Sequence, residues 1–335
     1  MRFLDGWQCA RIPPPSKSLS THTTKLGWPP PLPSAHVGVE SNSTNSLALN
    51  STSEPFPTTC TSSTSGRRPN MATWFTVDTD DFRHLPKHQG HPTRSVKRFE
   101  DDPHRLSSAF QTGWIQFLNW METHDGAVTV FVITDLLNDG MFSELLTQAL
   151  NRFPNRLTVG CHGHTHRSWS AWGEDKEGFE AMLDTSTALL QEHVGAAFRP
   201  YFRAPNGYIA PWMAACLASK GYLVDSSVNP SWLVKHKAGG ASWNAVLAAM
   251  READVVERPW STRWRLPVNG PALFRFPLSM IAKKAWKKAP RLLGPEELAS
   301  VEKSEVEVCT LYCHVLDFAR KGGSWQPPLR RHSAK

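Results

Sequence analysis

The hydrophobic pattern divides this chain near residue 71. Upstream, Ser, Thr and Pro predominate in runs such as Pro13-Pro14-Pro15, Pro29-Pro30-Pro31 and Ser51-Thr52-Ser53, and apolar residues follow no period. Such a segment cannot bury enough apolar surface to offset its ordering entropy, so residues 1–70 read as a disordered tail, with formal glycosylation sites at Asn42 and Asn50. Met71 directly precedes the first strand and is a candidate start of the folded protein. Downstream, strand and helix signals alternate. Residues 72–77 predict a strand ending at Asp78. Residues 106–124 carry Phe110, Trp114, Phe117, Leu118 and Met121 on one helical stripe. Residues 127–133 are almost continuously apolar and β-branched, as a buried parallel strand should be. Helices follow over 141–153, 177–193 and 211–220, and strands over 157–161, 198–202 (interrupted by Pro200), 222–224 and 305–313.

This β-α alternation predicts an α/β fold, a distorted parallel (β/α) barrel spanning residues 71–325, followed by a basic tail at 326–335. Asp78, His162, Arg203, Asp225 and His314 each fall just past the end of a predicted strand. Active sites of such barrels are built at that face.

Composition changes the picture little. The 335 residues carry a net charge of +7, part of it in Lys283-Lys284-Ala285-Trp286-Lys287-Lys288, which reads as a solvated helix face. No zinc-finger spacing, RNP signature or basic zipper points to nucleic acid. No apolar run is long enough to span a bilayer, and residues 1–16 lack the apolar core of a secretory signal, so a cytoplasmic location is expected. Six scattered cysteines, Cys309 and Cys313 among them, read as small core residues or free thiols.

The chemistry lies in five segments. In His162-Gly163-His164-Thr165-His166, two histidines four apart follow a buried strand; a second such pair, His84 and His88, sits in a Pro- and Gly-punctuated stretch and reads as ordinary loop. With one carboxylate from Asp78-Thr79-Asp80-Asp81, His162 and His166 can hold a divalent metal, zinc first, with cobalt, iron or nickel as alternatives. Asp80 is favoured over Asp81 because in extended chain it points the same way as Asp78. Asp78 then serves as general base, with Arg203 orienting its carboxylate through a planar fork. His314 is the candidate acid, and Asp225 its hydrogen-bond partner. The 14 tryptophans include Trp169, Trp172, Trp212, Trp232, Trp260 and Trp264, expected to rim a cleft for a sugar-like ligand. The long stretch 231–289, with Glu257-Arg258-Pro259-Trp260 and Phe274-Arg275-Phe276-Pro277, is expected to shape that pocket.

Thr76-Val77-Asp78-Thr79-Asp80, His162-Gly163-His164-Thr165-His166, Arg203-Ala204-Pro205-Asn206-Gly207, Asp225-Ser226-Ser227 and Leu311-Tyr312-Cys313-His314 stand in the order of the five motifs of the polysaccharide deacetylases with a NodB-homology domain, which residues 72–320 resemble. The resemblance implies a metal-dependent hydrolase that removes N-acetyl groups from a carbohydrate. It also implies Asp78 as base, Asp80, His162 and His166 as ligands, Arg203 orienting the base, His314 as acid and Asp225 tuning it. One departure stands out: most members have adjacent aspartates followed by glycine, whereas Thr79 separates Asp78 from Asp80 here. Two further readings fit the same residues: a hydrolase of a small non-sugar amide or ureido bond, and an inactive glycan-binding relative.

Overall fold

Strand β1 (Ala72–Asp78) shows how the sequence builds the sheet. In the computed structural model, which describes residues 71–329 except 103, all of its residues are buried. Successive side chains of a strand point to opposite faces. Phe75 and Val77 join the main core beneath the helices, while Ala72 and Trp74 join a second core inside the curl of the sheet. Thr76 and Asp78 continue that inner row to the strand's C-terminal end. The expected tail at 1–70, with Asn42 and Asn50, and residues 330–335 of the basic tail lie outside the described residues.

After β1 come α1 (Ser108–Glu122), β2 (Val128–Val132), α2 (Gly140–Arg152), β3 (Leu157–Cys161), α3 (Lys176–Val194), β4 (Phe198–Phe202), α4 (Pro211–Ser219), β5 (Val224–Asp225), α5 (Trp243–Glu252) and β6 (Val256–Glu257). A hairpin, β7 (Thr262–Arg263) and β8 (Leu266–Pro267), helix α6 (Leu278–Lys287) and β9 (Val308–His314) complete the described chain's main elements. Seven strands form one parallel sheet in the order β6-β5-β4-β3-β2-β1-β9. Each new strand is laid beside the last, and β9 returns to the other side of β1. Such an order curls rather than doubles back, giving the half-barrel with surrounding helices expected of a distorted (β/α) barrel. The segment after β6 spans the remaining gap. Trp260 N–H donates to the Val228 carbonyl at 2.8 Å, Ser261 N–H donates to the Thr310 carbonyl at 3.0 Å, and Trp260 bridges Thr310 in parallel.

The inside of the curl is filled in layers. Trp74 meets Phe131 and Tyr201 edge-on, each with ring centres 5.9 Å apart, and its Nε1 donates to Thr129 Oγ1. Gly160 lies beside this stack, where a Cβ would come within 2.7 Å of the Phe131 ring. Small size, rather than backbone freedom, is what that position requires.

The expected helices are present with slightly different ends, and Asp139, Asp175 and Ser242 cap α2, α3 and α5. The expected strand at 222–224 is displaced to Val224–Asp225. Tyr222 N–H donates to the Leu217 carbonyl and Gly221, at φ 75°, donates to Ala218, so both residues are used to end α4. Likewise β9 starts at Val308, because Val306 N–H donates back to the Lys303 carbonyl at 3.0 Å and uses 303–306 as a turn. Asp78, Asp225 and His314 are therefore the last residues of their strands, whereas His162 and Arg203 follow theirs. Lys283, Lys284, Lys287 and Lys288 are exposed beside the buried Trp286, as a solvated helix face. Cys161, Cys216, Cys309 and Cys313 are buried. Among the described residues, no helix is long and apolar enough to cross a membrane.

Candidate active site

At the C-terminal mouth of the curl, one ligand atom each from Asp80, His162 and His166 lies within 4.8 Å of the others. His166 Nε2 is 2.8 Å from Asp80 Oδ1, and His162 Nε2 is 3.5 Å from Asp80 Oδ2. The other ring nitrogens are committed: His162 Nδ1 donates to the Arg203 carbonyl and His166 Nδ1 to the His84 carbonyl, both at 2.7 Å. These bonds leave each Nε2 to act as an electron-pair donor, the arrangement by which outer contacts orient metal-ligating histidines. Asp80 Oδ2 and His166 Nε2 are buried without a hydrogen bond in this structure, atoms that a cation would satisfy. The donor set thus fits a divalent metal. Burial opposes ionisation of Asp80, yet His166 and His162 hold its carboxyl well below the usual range.

Local sequence explains why Asp80 takes this place and Asp81 does not. Asp81 caps the short 3-10 turn Phe82–His84 and accepts from Ser107 N–H at 2.8 Å and Ser107 Oγ at 2.5 Å. Thr79 stitches β1 to β2, its hydroxyl donating to the Phe131 carbonyl at 3.2 Å and accepting from Ile133 N–H at 3.0 Å. With Thr79 and Asp81 so engaged, Asp80 is the aspartate left facing the histidines. His84, expected to be plain loop, is buried against Asp135 at 3.0 Å and supplies the carbonyl that orients His166. His88 Nδ1 donates to the Lys97 carbonyl at 3.2 Å, and its ring meets Phe99 edge-on with centres 5.1 Å apart. His164 pairs with Thr134 Oγ1 at 3.0 Å.

Asp78 is gripped from below. Arg203 Nη1 donates to Asp78 Oδ1 and to Thr76 Oγ1, both at 2.7 Å, while Nε and Nη2 donate to the Ser226 carbonyl and hydroxyl. The expected two-pronged grip on the carboxylate is therefore not formed, because the rest of the fork is spent on Ser226. The guanidinium lies 4.2 Å from the centre of the Phe131 ring, on top of the aromatic stack.

His314 pairs in register with Asp78 across β9 and β1, and one ligand atom of each lies within 4.8 Å of Asp80. The expectation that Asp225 holds His314 is corrected: the ring's Nδ1 meets Asp317 Oδ2 at 3.2 Å, and that oxygen also accepts the His314 backbone N–H at 3.0 Å. Burial works against the imidazolium, but the Asp317 hydrogen bond and the charges of Asp80, Asp317 and Asp78 raise its pKa to about 9. Asp225 instead accepts from Ser227 Oγ at 2.6 Å and faces Glu257, its register partner on β6. Asp317 was legible only as an acid three residues after His314 at the start of a helical turn; Glu257 stood out only within Glu257-Arg258-Pro259-Trp260 as a pocket-shaping residue, not as a partner of Asp225.

Residues 91–224 match the family model for polysaccharide deacetylase. The matched span holds His162, His166 and Arg203; the fold adds Asp78 and Asp80 from before it and Asp225 and His314 from after it. A comparison with curated proteins gives no match. Among solved structures, a Mycobacterium smegmatis protein described as a polysaccharide deacetylase is similar over 76% of this chain and 82% of its own, at 17% identity and a TM-score of 0.47. A CE4 family pseudoenzyme from Bacillus anthracis is similar over 73% and 70%, at 10% identity and a TM-score of 0.35. A Streptococcus mutans CE4 esterase is similar over 72% and 86%, at 11% identity and a TM-score of 0.33.

The site does not present all of the tryptophans expected at its rim. Trp169 and Trp260 are buried, Trp260 donating through Nε1 to the Ser226 carbonyl, and Trp212 packs on Phe179. Trp172, Trp232 and Trp264 are exposed. Arg258 is likewise no pocket residue: its guanidinium donates to the carbonyls of Ser300, Val301, Lys303 and Val306 and pins that segment. Phe274 packs on Trp325, while Phe276 is exposed.

Proposed function

We propose that the protein is a metal-dependent hydrolase that removes N-acetyl groups from a carbohydrate. The observation that carries this reading is the buried Asp80–His162–His166 donor set flanked by two separately held groups, Asp78 on Arg203 and His314 on Asp317. The nitrogen-rich set suits zinc first, with cobalt, iron or nickel as alternatives. When bound at these three residues, the cation would polarise the amide carbonyl and acidify a water.

The chain's own residues supply the proton transfers. Asp78, fixed by Arg203, takes a proton from the attacking water. His314, kept charged by Asp317, delivers a proton to the departing amine nitrogen. Water thus adds its oxygen to the acyl carbon as the C–N bond breaks, leaving acetate and a free amine. Base and acid sit side by side because β1 and β9 are register neighbours, whereas the histidine ligands reach the site from the end of β3.

The test measures divalent metal bound to the full chain and to His162→Ala, together with acetate released from N-acetylated sugars and oligosaccharides. Near-stoichiometric metal in the parent, lost in the variant along with acetate release, is expected. Metal without acetate from any substrate would move the reading to another amide. Absence of bound metal from both proteins would remove the ligand assignment.

A further inference from the structure

Beside the proposed metal site, four basic side chains gather with no acid among them. Tyr208, in the loop that begins at Arg203, is their centre. The Tyr208 hydroxyl lies 3.0 Å from His91 Nε2, the Lys237 ammonium is 5.3 Å from the ring centre, and the His236 ring centre is 6.1 Å away. Arg94, three residues after His91, acts on all three: its charge lowers the pKa of His91, of His236 and of Lys237.

The cluster is built, not loose. Thr93 N–H donates to His91 Nδ1, which leaves the proton on Nε2 to be donated to Tyr208. Lys237 donates to the Asn206 carbonyl at 2.5 Å, and an ammonium has further donors to offer. Both loops of the proposed metal site take part. Asn206 Nδ2 donates to Ser168 Oγ at 3.1 Å, and the Gly90 carbonyl, next to His91, accepts from Ser168 N–H at 2.7 Å.

Burial, with the Arg94 charge acting in the same direction, pushes the Lys237 ammonium down to about 8. Burial and the neighbouring cations also lower His91 and His236. Among the described residues, every charge acting on these three groups is positive. Cations held this close repel one another, and a partly desolvated group of them attracts an anion strongly.

We propose that Lys237, His236 and Arg94 bind an oxyanion, a carboxylate or phosphate carried by the glycan whose amide is cut. Naming that anion as part of the substrate rests on the deacetylase reading; the anion site itself does not. The substrate is then an acidic N-acetylated carbohydrate rather than a neutral one.

The test titrates inorganic phosphate and, separately, glucuronate into the full chain at low salt, following heat of binding. Wild type, Lys237→Met, Arg94→Gln and His162→Ala are compared. Binding that weakens about 10-fold or more in Lys237→Met, weakens measurably in Arg94→Gln, and survives in His162→Ala is expected. The tighter probe tells a carboxylate source from a phosphate one. Because Arg94 is exposed, its variant decides the matter even if Lys237→Met does not fold. Binding unchanged in Arg94→Gln and in any folded Lys237→Met, or lost only in His162→Ala, would overturn the proposal. Acetate release from uronate-bearing, phosphate-bearing and neutral N-acetylated oligosaccharides separates the two readings. A wild-type preference for the anionic substrates that falls several-fold in Arg94→Gln supports the proposal. Equal use of all three by both proteins refutes it and leaves the deacetylase standing. Lys237-dependent binding with no acetate from any substrate removes the deacetylase and leaves the anion site.

Discussion

Replacing Asp317 with Asn tests whether His314 is the proton donor. The Asp317 carboxylate accepts from the His314 ring at 3.2 Å and from its backbone N–H at 3.0 Å, and its other oxygen accepts from Arg320 at 2.9 Å. An amide of the same size keeps an acceptor for His314 but removes the charge. Hydrogen bonds to charged groups contribute about 1.5–3 kcal/mol and neutral ones about 0.5–1.5 kcal/mol, so the exchange costs the imidazolium roughly 1–2 kcal/mol. At about 1.4 kcal/mol per pK unit, His314 falls by roughly one unit from its value of about 9. The influence of Asp78 and Asp80 on the ring is common to both proteins and cancels in the comparison. An acid acts only while protonated, so the alkaline limb of kcat/KM for acetate release moves down by about one pH unit, while the rate near pH 6 changes little. Folding follows the same sign. A His314 pKa above its ordinary 6.5 contributes stability that is complete below pH 6.5 and is lost as pH rises through about 9. That loss should be smaller in Asp317→Asn when denaturant unfolding is compared at pH 6 and pH 9. An alkaline limb that stays in place while the rate drops uniformly would show that Asp317 merely positions the ring, and would remove His314 as the acid.

Other substitutions separate ligand, base and scaffold. Asp80→Asn should lose most bound metal while folding normally, whereas Asp81→Ala should keep the metal and lose about 1–2 kcal/mol of stability with its cap, read by metal content and denaturant unfolding. Arg203→Met strands the buried Asp78 carboxylate and should cost about 3–5 kcal/mol in unfolding free energy, along with acetate release. Gly160→Ala drives a methyl to 2.7 Å from Phe131 and should lower stability by about 1–3 kcal/mol, with a lower melting temperature as the readout.

Much of this molecule was legible in sequence because its signals are local. Val128–Val132 and Leu157–Cys161 read as buried strands from composition alone, and the stripes of α1 and α3 from period alone. The segment 231–289 was not legible: β6, β7 and β8 are two residues each, too short for any period to register. In the site, spacing favoured Asp80 over Asp81, and the geometry brings Asp80 to the histidines because Ser107 occupies Asp81, a partner 26 residues away that no local pattern announces. Asp225 was misjudged for a related reason. It ends a strand at the correct mouth, but which acid reaches His314 depends on how β9 runs into its next turn, where Asp317 is held three residues from the ring.

The fate of Asp225 follows from the charges already in the barrel. Asp78 and Arg203 form one buried pair, and the guanidinium's remaining donors end on neutral Ser226. Asp225 and Glu257 then stand side by side on β5 and β6, each with one buried oxygen lacking a hydrogen bond. Two ionised carboxylates could not be accommodated there. Burial raises the pKa of both, and the charge of Asp225 raises that of Glu257 further. Asp225, tied to Ser227 beside Glu257, is not the carboxylate that meets the imidazolium. It is better placed to fix the 204–208 loop, since Ser227 Oγ also accepts the Ala204 N–H at 2.7 Å. The aspartate that the resemblance assigned to the acid thus supports the Arg203 side of the site, and His314 draws its charge from Asp317 within its own turn.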